Sequence, residues 1–124
     1  MSEVWIPGKE FKQSLELSIE RLQIPIGEEH EVVVTRSSSG WVKTKKRIWL
    51  RSGYFLSKPP EVEDDVSLNV TFHVTPVDNV QFGVSDRGHR TIKFEKGGEY
   101  KLYAYSSLWK KPGIESNELI LEVA

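Results

Sequence analysis

The most distinctive group of functional side chains lies in residues 41–51, WVKTKKRIWLR, which carry five positive charges and no negative charge. In an extended chain, alternate side chains point to opposite faces. One face would therefore hold Trp41, Lys43, Lys45, Arg47, Trp49 and Arg51. Lysine and arginine bind phosphate or sulfate groups, and indole rings stack on bases or sugars. The pattern predicts binding of a polyanion, a glycan or an acidic protein surface.

The same segment is compatible with a purely structural role. Lysines along an edge strand prevent unwanted strand pairing, and the tryptophans would then pack on lysine stems or on the N-terminal segment. The acidic residues 61–65 could also neutralise the cations. Trp109 is a further candidate binding residue, since a loop tryptophan can anchor a partner or cap the open end of the core. Trp5 has the same two interpretations.

Other reactive side chains lack the spacing of known sites. His30, His73 and His89 form neither His-x-His nor His-Glu-x-x-His patterns, so no metal ligands are predicted. No serine has a Gly-x-Ser-x-Gly setting, and no glycine-rich phosphate loop follows a strand. The chain contains no cysteine, which excludes disulfides and cysteine nucleophiles. We therefore expect no catalytic residue, no cofactor and no metal, and a protein that is not an enzyme.

Length and composition predict one folded domain. The 124 residues are 38% hydrophobic and 28% charged, enough for one core and too few for two. The net charge of −1 gives no overall attraction to nucleic acid or membrane, and the N-terminus lacks the pattern of a signal peptide. We expect a single β-sandwich domain over residues 1–124, with residues 1–13 as a candidate N-terminal arm. The expected location is the cytoplasm or a larger particle, without membrane contact.

Alternation of apolar and polar residues predicts several strands in the second half of the chain. The alternating runs are residues 66–74, 80–84, 92–94, 100–105 and 118–123. In the first half, residues 15–19 fit a strand or a helical stripe. We favour a strand, because a break at Pro25, a turn at Gly27 and a second strand over residues 30–36 follow. Residues 37–40, SSSG, are predicted to form a loop.

From residue 66 onward the pattern resembles bacterial immunoglobulin-like and PKD-type domains. The resemblance rests on HRTIKFEKGGEYKLYAYS, a loop, and SNELILEV near the C-terminus. In such domains a tyrosine near the start of the penultimate strand forms a tyrosine corner, with its hydroxyl bonded to upstream backbone, and Tyr100 is the matching position. The resemblance implies an all-β, immunoglobulin-like antiparallel β-sandwich of roughly seven to nine strands. The expected core residues are Val70, Phe72, Phe82, Ile92, Phe94, Leu102 and Leu121.

Domains of this kind mostly serve as adhesive, scaffolding or ligand-binding modules, and the fold hosts unrelated functions. The expected function is a non-enzymatic binding or interaction module acting through protein-protein contacts, with Trp109 and the cationic face of residues 41–51 as binding residues. One alternative is a structural or decoration subunit that assembles into homo-oligomers. Another is polyanion or carbohydrate binding through the Trp/Lys/Arg strip. A protein is the expected partner.

Overall fold

The computed structural model describes residues 3–45, 62–107 and 113–124, and these residues contain strands and no α-helix. In chain order the strands are β1 Glu3–Ile19, β2 Gln23–Ile24, β3 His30–Lys45, β4 Val62–Glu63, β5 Thr71–Thr75, β6 Val80–Val84, β7 Arg90–Phe94, β8 Gly98–Ser106, β9 Ile114–Glu115 and β10 Leu119–Val123. The predicted all-β class is confirmed. Within the described residues, no helix is long and apolar enough to cross a membrane.

The strands form two sheets. In the first, the order is β1-β3-β7-β6, with β4 beside β3; in the second it is β2-β10-β8-β5, with β9 beside β8. Paired strands are antiparallel, except that β2 runs parallel to β10. Both sheets have one apolar face, and these two faces pack against each other to enclose the core.

The centre of the core consists of inward-facing residues from both sheets. Val32, Val34 and Ile92 of the first sheet and Leu102 and Leu121 of the second are each 0% exposed. Cutting a leucine or isoleucine at such a position to alanine removes the transfer free energy of its methyl groups and leaves a cavity, a loss of about 2–5 kcal/mol. The packing of alternate residues explains why the alternating runs located β6, β7, β8 and β10 correctly.

The predicted core needs one correction, at Phe82. The other six predicted residues are buried or, for Phe72, half-buried against the core. The side chain of Phe82 is 37% exposed. Its strand, β6, is the last strand of the first sheet, so no further described strand covers the outer side of the ring.

Residues 66–74 do not form one uninterrupted strand. A 3-10 turn, Ser67–Asn69, comes first, and β5 begins only at Thr71. The carboxylate of Asp65 accepts hydrogen bonds from the backbone N–H of Ser67 at 3.2 Å and from its hydroxyl at 2.5 Å. An aspartate that bonds the backbone two residues ahead offers the chain an alternative to strand pairing. The prediction of a strand is therefore wrong for residues 66–70 and correct for residues 71–74.

The loop predicted for residues 37–40 is also wrong, because β3 continues through it. Ser37, Ser38 and Ser39 pair with residues 14, 13 and 12 of β1. Long-range pairing thus overrides the turn preference of a serine run. Residues 15–19 belong to β1, so the strand interpretation of that segment is confirmed and the helical alternative is wrong.

Tyr100 makes the hydrogen bond that the resemblance to a tyrosine corner implies. Its hydroxyl donates to the backbone carbonyl of Lys96 at 2.8 Å, and the side chain is buried. The ring also packs against Phe94, with 4.5 Å between ring centroids. The tyrosine therefore fixes the turn between β7 and β8 to the core.

Candidate functional site

The two longest strands, β1 and β3, pair with each other along most of their length. We call residues 3–13 and 38–45 the distal ribbon. Its register shifts between two points: Pro7 lies opposite Trp41, whereas Lys12 lies opposite Ser39. Four residues of β1 therefore oppose Gly40 alone, which makes an extended β-bulge.

Gly40 is required by this bulge. Its φ of +84° lies in the left-handed region, which glycine adopts without strain. A Cβ atom at this position would lie 2.7 Å from the Cα atom of Phe11, closer than van der Waals contact permits. The bulge thus depends on a residue without a side chain.

Beside the bulge the ribbon forms an open cleft of about 590 Å³. Trp5 from β1 and Trp41 from β3 supply its apolar walls, together with Val62 of β4. Four serines, at positions 14, 37, 38 and 39, contribute hydroxyl groups. The cleft therefore combines aromatic surface with hydrogen-bonding groups, as ligand and peptide sites commonly do.

Trp41 is held in one orientation by two contacts. Its ring meets the edge of Phe11 with 5.0 Å between centroids and 82° between planes. Its indole N–H donates to the hydroxyl of Ser38 at 2.9 Å. The tryptophan packs on the N-terminal segment, as in the structural interpretation of the sequence, and remains half exposed at the cleft.

Lys43 is already paired within the ribbon. Its ammonium lies 2.8 Å from a carboxylate oxygen of Glu3 and 6.0 Å from the ring centroid of Trp5. Both side chains of the ion pair are about half exposed, so the pair adds at most about 1 kcal/mol to stability. Lys45 is exposed and lies directly opposite Glu3 in the register.

The structure places two residues of the predicted cationic face, Trp41 and Lys43, beside Trp5. Four other predicted binding residues lie outside the described residues: Arg47, Trp49, Arg51 and Trp109. Trp5 lies in the candidate N-terminal arm of residues 1–13, of which residues 3–13 form the first part of β1. Gly40 is the residue from which the bulge beside the cleft could have been predicted, because an isolated glycine within a strand often marks a bulge.

One cluster contains the three residue types of a hydrolase triad, but in a different spatial arrangement. Its members are Ser67, Asp65 and His89. The Nδ1 atom of His89 lies 2.6 Å from one carboxylate oxygen of Asp65, and the Ser67 hydroxyl donates to the other. In a triad the imidazole lies between the serine and the acid. Here the carboxylate lies between them, and Ser67 is 0% exposed. These contacts stabilise the turn before β5 and do not activate a nucleophile.

Glu31 and Arg87 form the best-defined ion pair on the outer side of the first sheet. The guanidinium donates to both carboxylate oxygens, at 2.7 and 2.8 Å. This hydrogen bonding and the charge of Arg87 lower the pKa of Glu31, with smaller contributions from Ser85 and His89. No cluster of three or more acidic or histidine side chains suited to a metal occurs in the described parts of the chain.

Comparison with known proteins adds no assignment. No protein-family model matches the chain, and neither a curated protein nor a solved structure matches it. The function must therefore be inferred from the residues themselves.

Proposed function

We propose that the protein is a non-enzymatic interaction module that binds a protein partner through its distal ribbon. The cleft between Trp5 and Trp41 carries this proposal. Binding hot spots are enriched in tryptophan. A ring that is already fixed, as Trp41 is by Phe11 and Ser38, loses little conformational freedom on binding. An apolar side chain of the partner would fill the cleft, with the serine hydroxyls bonding its backbone.

The charge of the ribbon favours an acidic partner surface. Lys9, Lys12 and Lys45 are exposed on the ribbon, and Lys12 lines the cleft. Three further cations follow in residues 46–51 of the sequence. A polyanion site gains affinity from each phosphate or sulfate group that a cation neutralises. On the ribbon this gain is reduced, because Lys43 is paired with Glu3 at 2.8 Å and the carboxylate of Glu10 is also exposed. This alternation of charge fits a protein surface better than nucleic acid or a sulfated glycan.

We also propose that the sandwich is immunoglobulin-like. The two-sheet architecture and the hydrogen bond from Tyr100 to Lys96 support this. If Tyr100 is a tyrosine corner, Tyr100→Phe should lower the free energy of unfolding by about 0.5–1.5 kcal/mol. Tyr103→Phe is the matched control on the same strand, at a half-exposed ring stacked on His73. Equal stability of the two variants would count against the corner.

Partner capture by variants of the cleft tests the proposed function. The full chain is fixed to beads, and the proteins retained by wild type, Trp5→Ala and Trp41→Ala are quantified by mass spectrometry. A specific partner should bind the tryptophan variants about thirtyfold more weakly, since hot-spot truncations cost about 2 kcal/mol. Tyr103→Ala, on the other sheet, should capture it normally. Undiminished capture by both tryptophan variants, with thermal unfolding unchanged, would rule out the cleft.

The alternatives predict different salt dependence. A heparin fragment or single-stranded DNA that quenches tryptophan fluorescence, with affinity falling steeply as salt rises, would support a polyanion site. A neutral oligosaccharide that binds almost independently of salt would support a glycan site. An acidic protein partner should bind with moderate salt dependence and should require Trp5 and Trp41.

A further inference from the structure

We propose that the protein forms a two-fold symmetric dimer in which β6 pairs antiparallel with β6 of a second copy. β6 is the last strand of the first sheet, at the opposite end from β1 and the distal ribbon. The dimer surface and the proposed cleft are therefore separate, and either can fail without the other.

The hydrogen-bonding pattern leaves alternate backbone groups of β6 facing outward. The N–H of Ser85 donates to the carbonyl of His89 at 2.7 Å, and the N–H of Glu95 donates to the carbonyl of Asn79 at 2.8 Å. Both pairs follow the register of β6 with β7. Since hydrogen-bonded pairs alternate in an antiparallel ladder, the odd-numbered residues of β6 face β7. Val80, Phe82 and Val84 therefore direct their N–H and C=O groups away from the sheet.

This edge lacks the usual protection against strand pairing. Natural edge strands carry lysine, proline or bulges that block addition. The β6 sequence VQFGV has neither charge nor proline, and its pairing with β7 is regular over all five residues. Two apolar side chains on it are exposed, Val84 at 59% and Phe82 at 37%.

The other described edges are less available. On β1, the side chain of Asn117 occupies both backbone groups of Leu17, and the ribbon part of the strand contains Pro7, Lys9 and the bulge, which hinder strand addition. β2, β4 and β9 are each only two residues long. β5 ends directly before Pro76, and its Val74 is buried. β6 is thus the described edge that combines free backbone groups with exposed apolar side chains.

The β6 edge is self-complementary, which is why a second copy is the partner that fits. In a pairing centred on Phe82, each Phe82 faces Phe82 of the other copy, and Val80 faces Val84. Every facing residue has outward N–H and C=O groups, so each pair would exchange two hydrogen bonds. Valine and aromatic pairs directly opposite one another also stabilise antiparallel strands.

The aromatic contacts behind β6 support the same arrangement. Phe82 stacks on Phe72 with 5.6 Å between centroids and 16° between planes, and the guanidinium of Arg90 lies over both rings. Two-fold pairing would place the Phe82 rings side by side and extend this stack across the interface. The two Arg90 residues would be separated by three strand spacings across the sheet and by four residues along the strand direction. This places them about 20 Å apart, so their charges would not repel strongly.

Sedimentation equilibrium of the wild-type protein, from micromolar to near-millimolar concentration, is the first test. We expect a reversible monomer-dimer equilibrium. In the dimer, the amides of Val80, Phe82 and Val84 should become protected from hydrogen exchange as concentration rises, whereas those of Gln81 and Gly83 should be protected throughout. A protein that remains monomeric over the whole range would overturn the proposal.

Two substitutions at Val84, to proline and to alanine, distinguish the contribution of its backbone N–H to the dimer from that of its side chain. Both remove the exposed isopropyl group, but only proline removes the outward N–H, and the ladder to β7 does not use that group. Val84→Pro should raise the dimer dissociation constant at least roughly tenfold over Val84→Ala. Phe82→Lys, which places two lysines face to face, should act in the same direction if the proline variant does not fold. A dimer that persists in the folded edge variants would overturn the proposed surface.

Discussion

The side-chain amide of Asn117 takes the place of a neighbouring strand for Leu17. The backbone N–H of Leu17 donates to Oδ1 of Asn117 at 2.7 Å, and Nδ2 of Asn117 donates to the carbonyl of Leu17 at 3.0 Å. The two residues are 100 positions apart and lie in different halves of the sandwich. This contact joins the edge of the first sheet to the segment between β9 and β10.

Asn117→Ala should lower the free energy of unfolding by about 1–3 kcal/mol, because both backbone groups of Leu17 lose their partner next to the core. Denaturant unfolding at constant m-value measures this loss. Asn69→Ala removes an exposed asparagine side chain from the turn before β5 and should change stability by at most about 0.5 kcal/mol. Equal effects of the two substitutions would show that the Asn117 contact contributes little.

Gly40→Ala should disrupt the distal ribbon more than the rest of the sandwich. It introduces both left-handed strain and a clash with Phe11. Gly88→Ala is the matched control, since its φ is +80° but no atom lies within 4 Å of the added Cβ. The control should show only the penalty for a non-glycine residue in the left-handed region, about 1–2 kcal/mol.

Hydrogen exchange distinguishes the two glycine variants. In Gly40→Ala, amides of residues 3–7 and 41–45 should exchange faster, while those of β8 and β10 should stay protected. Tryptophan fluorescence should also shift, because Trp41 depends on the bulge for its contact with Phe11. If ribbon exchange is the same in both variants, the bulge does not require glycine.

Arg87→Ala should raise the pKa of Glu31 part of the way towards the ordinary glutamate value, because Ser85 and His89 still lower it. The pKa is lower in the folded protein than in the unfolded chain. The stability from this pair is therefore complete above the unfolded pKa of about 4.3 and is lost as pH falls through the folded value. Carbon-13 NMR titration of the Glu31 carboxyl measures the change. Arg21→Ala, at an exposed arginine, is the control and should leave the Glu31 titration unchanged.

The local pattern of the chain determined where most strands of the second half lie and which of their faces is covered. Alternate apolar residues predicted β6, β7, β8 and β10, and the resemblance to immunoglobulin-like domains implied the bond from Tyr100 to upstream backbone. These features depend on neighbours within one strand or one turn. Apolar residues that recur at every second position indicate that one face of the strand is buried. This pattern can be recognised in the sequence without knowing which strands pair.

Only the tertiary structure decided which strands pair and which strand lies at an edge. Alternation placed Phe82 on an apolar face, but its exposure follows from β6 having no further described neighbour. The serine run at residues 37–39 is a strand because β1 lies beside it, and Trp5 reaches Trp41 through that pairing. Contacts such as Leu17 with Asn117 depend on residues far apart in the chain, and no local preference encodes which distant segments will meet.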